Sequence, residues 1–266
     1  MKRTFAQISE GVNGEAIAAQ LRRKYTRDDG TLQTGALSVC FSRVKSALSS
    51  TDAVNMHALS LTKSELLSLT REREAALIQK QESLLHVPHQ WLPYAICLAR
   101  QSTPQMSYAR LAIPLLLLSG RRCTEILNGK STFAPTSRPT TCLFTGAIKK
   151  RGQSTPFEIP LLCDYQTFAF ALCVLHVKQG GEKLDPETTH NRYAKNLKLS
   201  TLFPIQSPHQ LRAVYAAFVY HLYSSNVTFN RAAMMFLGHE KLETSLSYNS
   251  VVLHGDLPAG VYGALP

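Results

Sequence analysis

The sequence predicts a mainly α-helical protein with one small antiparallel β-sheet, and three observations lead there. Apolar and charged residues recur at helix-like intervals along most of the chain. Two short stretches near the middle alternate strand-fashion around a polar turn. A segment holding two prolines separates two regions of different texture. A chain of 266 residues can bury a substantial core, as one large domain or two ordinary ones. We place a boundary at HVPHQWLP, where Pro88 and Pro93 discourage one uninterrupted helix. That gives a helical domain over residues 1–87 and a second domain over 88–266.

In the first domain, residues 15–25, 35–48 and 63–85 read as helices, separated by the turn-like TRDDGT and SSTDAVN. In the third of these, Leu66, Leu69, Leu77 and Leu84 fall near one face, while Arg71 to Glu74 read as solvated. In the second domain, residues 107–118 are strongly apolar and helical, and SGRRCTEIL leads into another helix. TTCLFTGAI and PFEIPLL read as two strands joined by KKRGQST. Helices follow over residues 165–177, 208–224 and 229–238, the last running into LGHEKLETSLSYNSV.

The 29 Lys and Arg residues against 18 Asp and Glu give a formal net charge of +11, which favours a polyanionic partner, because neutralising phosphates releases condensed counterions. Six cysteines (Cys40, Cys97, Cys123, Cys142, Cys163 and Cys173) are scattered without a C-x-x-C pair, mostly in apolar surroundings. They read as reduced core residues of a cytoplasmic protein. The N-terminus MKRTFAQISEG lacks the apolar stretch of a signal peptide, and the apolar run 111–118 is too short to span a bilayer.

Three constellations carry chemistry, each with a plain structural reading beside it. In SGRRCTEIL, Glu125 lies one helical turn after Arg122, where it either fixes the guanidinium fork for a phosphate or forms an ordinary surface pair. In HQLRAVYAAFVYHL, His209 and Arg212 emerge on one face at a helix start, a place that favours anions, though the spacing is common by chance. In LGH, Gly238 suits a helix end and His239 either caps it or reaches a ligand. Tyr248 follows His239 by nine positions. His176 and His221 read as structural, and Tyr215, Tyr220 and Tyr223 as residues of the core or of the helix surface.

In this order the set resembles the tyrosine recombinases, over roughly residues 90–252. That family carries a Gly-x-Arg-x-x-Glu signature, here Gly120, Arg122 and Glu125. It has a lysine in a β-hairpin, here Lys149 or Lys150, a His-x-x-Arg box at His209 and Arg212, and Leu-Gly-His at Leu237, Gly238 and His239. The nucleophilic tyrosine stands nine residues later, at Tyr248. The resemblance implies a two-domain enzyme, with a helical core-binding-like DNA-binding domain ahead of a catalytic domain.

It also implies roles. Arg122 and Arg212 stabilise charge on the phosphate, with Glu125 in support. Lys149, preferred over Lys150 for its place after FTGAI, protonates the leaving 5′ oxygen. His209 moves the tyrosine proton, His239 bonds the scissile phosphate, and Tyr248 becomes a 3′-phosphotyrosine. No metal, cofactor or ATP is called for. The implied partners are double-stranded DNA with a specific recombination site and further copies of the chain, as a homo-tetramer on DNA.

The sequence departs from the family at Arg121, where a small or apolar residue is usual, and in its Pro- and Gly-rich tail, which offers no long helix for docking on a neighbour. Within the family the chain looks most like plasmid-borne multimer resolvases of the F-plasmid D protein type. Telomere resolvases, which form hairpin ends, come second because they are usually longer, and integrases and invertases also remain. A non-catalytic basic replication or repressor protein is the reading from another class.

Overall fold

Three helices come first: α1 (Gly14–Lys24), α2 (Thr34–Ala47) and α3 (Lys63–Glu82). In this computed structural model the described residues are 14–47, 57–147, 155–197, 202–223, 227–239, 245 and 248–255. The chain divides into two compact units, Met1–Gln79 and Lys80–Pro266.

The first unit is built on helical periodicity. Ile17, Ala18 and Leu21 of α1 meet Leu37, Cys40, Phe41 and Val44 of α2, with Leu59, in one small core. These positions repeat at three and four residues, as one helix face requires. Arg22 Nε donates to Glu65 Oε1 at 2.7 Å, and its Nη2 donates to the Ser60 carbonyl at 3.0 Å, joining α1 to the start of α3. Of the leucines expected on one face of the third helix, Leu69 is buried and Leu66 is 50% exposed, while Leu84 lies beyond the end of α3 and is 45% exposed. Their shared side is set by spacing; in this helix it is mostly solvated.

The second unit begins with β1 (Leu85–Pro88) and continues through α4 (Trp91–Arg100), α5 (Tyr108–Ser119), α6 (Cys123–Leu127), β2 (Thr132–Pro135), β3 (Thr141–Thr145) and β4 (Phe157–Pro160). After these come α7 (Tyr165–Lys178), α8 (Pro186–Arg192), a 3-10 turn at Ala194–Asn196, α9 (Pro208–Tyr223), α10 (Phe229–Leu237) and β5 (Val251–His254). The fold is mainly α with a small antiparallel sheet, the class the sequence predicts.

Helix α5 is the axis of this unit. Residues 111–119 are buried without exception, and α4, α7 and α9 pack around the helix. Each fully buried leucine contributes roughly 1.5–3 kcal/mol, enough for the run to tolerate Pro114 and its missing backbone N–H, a change of about 3 kcal/mol. Ser107 caps the start by accepting from the Arg110 N–H at 3.3 Å. Helix α4 starts only two residues before Pro93, so the proline sits in the first turn, where an N–H has no intrahelical partner to lose. Pro93 therefore opens a helix where the sequence reading took it only as a break.

The antiparallel sheet has three strands in the order β2-β3-β4. The two read from the sequence are β3 and β4, paired Cys142 with Ile159 and Phe144 with Phe157. Cys142, Phe144 and Ile159 point into the core, with none of their surface exposed. The connection carrying Lys149 and Lys150 lies outside the described residues. A second, two-stranded parallel sheet joins β1 to β5, Leu85 opposite Val251 and His89 N–H donating to the His254 carbonyl at 3.1 Å. The residues just ahead of Pro88 thus belong to the second unit. Cys40, Cys123, Cys142 and Cys163 are buried, whereas Cys97 and Cys173 are exposed, contrary to the core reading of all six. No helix among the described residues is long and apolar enough to cross a membrane.

Candidate active site

The site is assembled where α5 ends. Gly120 turns the chain with φ +60°, and a Cβ there would stand 2.1 Å from a ring carbon of Tyr215, so the position needs glycine both for conformation and for space. Arg122 follows in extended backbone as the N-cap of α6. Its N–H donates to Glu125 Oε2 at 2.9 Å and its Nη1 to Oε1 at 2.7 Å, so the carboxylate orients backbone and fork together. The pair is no surface feature: Glu125 is 1% exposed. Burial pushes the Glu125 carboxyl up, but Arg121, Arg122 and Arg212 and the Arg122 N–H outweigh it and hold its pKa below the ordinary value.

Arg121 turns the other way. It is buried, donates from Nη2 to the Phe236 carbonyl at 2.7 Å, and lies over the rings of Phe144 and Phe157.

Helix α9 supplies the His-x-x-Arg pair. Arg212 is buried, its Nη1 donating to the Gly120 carbonyl and its Nη2 to the Leu237 carbonyl at 2.7 Å. Burial, then the charge of Arg121, lowers its pKa to about 10, which leaves it charged at neutral pH. Among the described residues, the buried Nε atoms of Arg122 and Arg212 have no hydrogen-bond partner. His209 lies on the exposed side of the same helix start, its ring 5.9 Å from that of Tyr248.

Helix α10 ends at Leu237, with Gly238 left-handed at φ +68° and the His239 N–H returning to the Met234 carbonyl at 2.9 Å. His239 Nε2 is 3.5 Å from Arg212 Nη2, and Nδ1 is 3.1 Å from Ser245 Oγ. A guanidinium only donates, so Nε2 accepts and Nδ1 carries the proton toward Ser245. Burial, then the charges of Arg212, Arg122, Arg121 and His209, lower the His239 pKa to about 4, so the ring is neutral at pH 7. Tyr248 is 4% exposed, its ring 5.1 Å from His239 and 6.0 Å from the Arg212 guanidinium carbon.

Arg122, Glu125, His209, Arg212, His239 and Tyr248 are therefore gathered in one place. Lys149 and Lys150 lie outside the described residues. Sequence reasoning missed Ser245 and the bonding of Arg121: a serine six residues past a histidine carries no signal, and an arginine in a polar loop reads as solvated. A cavity of about 260 Å³ opens beside His209, bordered by Ser83, Leu85, Gln206, Gln210 and Ser250. A larger apolar one, about 590 Å³ along α7, is lined by none of the six residues. Among the described residues no group of three or more His, Cys, Asp or Glu is placed to hold a metal ion.

A buried tyrosine flanked by two histidines and by guanidiniums with unused N–H groups, on a helical unit with a small sheet, defines a tyrosine-recombinase catalytic domain, an enzyme that breaks and rejoins DNA strands. The family profile "Telomere resolvase ResT/TelK catalytic domain" matches residues 74–250, and the chain belongs to that family. Among solved structures, one similar fold is a protelomerase tela variant covalently complexed with substrate DNA. It has a TM-score of 0.78 and 20% identity, over 94% of this chain and 86% of that one.

Another is a protelomerase tela variant complexed with a DNA hairpin product, with TM-score 0.79, 20% identity and the same coverage, 94% and 86%. Protelomerase TelK complexed with substrate DNA gives 0.61 and 21%, over 95% of this chain and 57% of that one. At these identities the likeness is one of fold. No curated protein is matched.

The family match overturns the expectation of a plasmid multimer resolvase of the D protein type. That expectation rested on boxes shared by the whole superfamily and on length, and length does not separate the two, since the chain spans 86% of a tela chain.

Proposed function

We propose that the protein is a telomere resolvase that cuts duplex DNA through a 3′-phosphotyrosine on Tyr248 and reseals each cut strand to the opposite strand as a hairpin end. The observation that carries the reading is the packing of Tyr248 against His209, His239 and Arg212, beside two buried arginine Nε–H groups with no acceptor among the described residues. A buried donor without an acceptor is costly, and a phosphate oxygen would satisfy it. The tela structures hold substrate DNA covalently in one case and a DNA hairpin product in another, and we carry that substrate class to this chain.

In the first step the Tyr248 oxygen bonds to phosphorus as the bond from phosphorus to the 5′ oxygen breaks. The tyrosine proton passes to His209, and Lys149, rather than its neighbour Lys150, protonates the departing 5′ oxygen. Arg122 and Arg212 stabilise the charge gathering on the non-bridging oxygens, each removal costing roughly 10²–10³ in rate. Glu125 keeps the Arg122 fork aligned. His239 reaches the phosphate by exchanging its tautomer: Ser245 Oγ both accepts and donates, so it can bond Nδ1 while Nε2–H turns to phosphate. In the second step the 5′ hydroxyl of the opposite strand attacks phosphorus and tyrosine leaves. The bond energy is conserved, so no ATP enters.

Turning one duplex into two hairpin ends takes two strand cleavages. Two copies therefore suffice, where a tetramer would serve exchange between two duplexes. The helical domain ahead of the catalytic one completes the grip on DNA, and the reaction takes place in the cytoplasm.

The test is a denaturing gel with wild type and Tyr248→Phe on nicked inverted-repeat DNA flanking the gene. Wild type is expected to form a covalent adduct on the nicked DNA and hairpins from the intact duplex, and Tyr248→Phe neither, with DNA binding retained. An adduct from Tyr248→Phe would place the nucleophile elsewhere. Specific binding by wild type without an adduct would favour a protein that binds DNA and leaves it uncut.

A further inference from the structure

We propose that Arg121 is a positioning residue, clamping the last turn of α10 to the β3–β4 sheet so that His239 is held against Tyr248. The inference rests on reading Tyr248 as the nucleophile. Arg121 is 2% exposed, its Nη2 donates to the Phe236 carbonyl at 2.7 Å, and its Nε donates to the Ser119 carbonyl at 3.3 Å. Its guanidinium carbon lies 5.0 Å from the centre of the Phe144 ring and 5.4 Å from that of Phe157.

Those partners belong to four elements, α5, α10, β3 and β4. Phe236 is the penultimate residue of α10, and the next carbonyl, that of Leu237, is held by Arg212. Two successive carbonyls at one helix end are thus taken by two buried guanidiniums, which is where the negative end of the helix dipole favours positive charge. Phe144 and Phe157 belong to the strands flanking the connection that carries Lys149 and Lys150. Gly238 packs on the same Phe157 ring so closely that a Cβ would come within 2.7 Å of it.

Among the described residues Arg121 donates to two helix-end carbonyls and lies over two rings, and with the nearby charge of Glu125 these offset its burial. An apolar side chain of like volume would fill a core more cheaply. What the arginine adds is direction: it fixes Phe236, and with it the turn through Gly238 that presents His239.

His239 is faced by Arg212 and His209 from α9, by Arg121 and Arg122 from the loop before α6, and by Ser245 and Tyr248. Each positive charge there favours the neutral ring, so deleting Arg121 has a consequence in pH as well as in rate.

The experiment compares wild type, Arg121→Lys and Arg121→Met in single-turnover adduct formation on nicked target DNA, across pH, together with DNA binding and melting temperature. Displacing a reacting group by a fraction of an ångström costs rate, so both variants are expected to cleave roughly 10- to 100-fold more slowly at saturating DNA. Half-saturating DNA concentration is expected to stay within about twofold, because Arg121 is buried and its guanidinium is engaged by the Phe236 and Ser119 carbonyls. The acidic limb of the rate profile moves to higher pH in Arg121→Met and stays in place in Arg121→Lys, which keeps the charge.

Wild-type rates in both variants would overturn the proposal, as would a loss of rate matched by equal losses of binding and melting temperature, or an unmoved limb in Arg121→Met. Failure of both variants to fold would assign Arg121 to the core and also overturn it. Absence of an adduct from wild type itself would bring down the nucleophile reading, and this proposal with it.

Discussion

His239 shows how far one residue's chemistry is set by neighbours distant in sequence. Its pKa is lowered from 6.5 to about 4 by burial and by the arginines and His209 around it. Above 6.5 both folded and unfolded chains carry it neutral. Between 6.5 and 4 the unfolded chain takes up a proton that the folded site refuses, so stability falls as pH drops through that window and levels off below it. Urea unfolding at a series of pH values is expected to show this slope in wild type and a shallower one in His239→Gln; equal slopes would mean that the ring is not held neutral. At this scale the sequence was informative where roles follow from spacing. Arg122 with Glu125, His209 with Arg212 and His239 with Tyr248 stand at separations that a helix turn or a short motif dictates. Ser245 and Arg121 were illegible because their partners are set only by tertiary packing.

Among the elements, the end of α5 is the most constrained. Gly120 needs a left-handed backbone, has no room for a Cβ against Tyr215, and gives its carbonyl to Arg212. Tyr215 cannot easily yield, being fully buried with its hydroxyl donating to the Pro160 carbonyl at 2.7 Å. Gly120→Ala is therefore expected to lose about 2–5 kcal/mol from backbone strain and overpacking together, measured as a shift in urea midpoint. A loss under about 0.5 kcal/mol, as at an ordinary surface site, would refute the packing account. The long helices and the β3–β4 pair were legible from periodicity. Helix α4 was hidden because a proline inside a pattern suggests a break, and only its place in the first turn makes it harmless. Strands β1 and β5 were hidden for another reason: four-residue parallel strands have no local turn to announce them.

For the whole molecule, the excess of positive charge and the family agree on DNA as partner. If six to ten phosphates are neutralised, affinity is expected to fall roughly 10³- to 10⁵-fold between about 50 and 200 mM salt, a slope that filter binding would measure. A flat response would count against the DNA reading itself. Superfamily membership was legible from the order of the boxes, but the kind of resolvase was not, because motifs built around one phosphate are indifferent to which strand is joined next.

The pairing of β1 with β5 bears on how the enzyme comes into being. The two strands are joined across 165 residues, His89 to His254, and the second of them follows Tyr248 within a few positions. Local helices form early and such distant pairings late, since the loop must close before the contact rewards it. During synthesis β1 therefore waits unpaired until the residues through His254 have been made. A nascent chain can fold its helices before the segment that follows Tyr248 is fastened, so the surroundings of Tyr248 close later than the helices that line them.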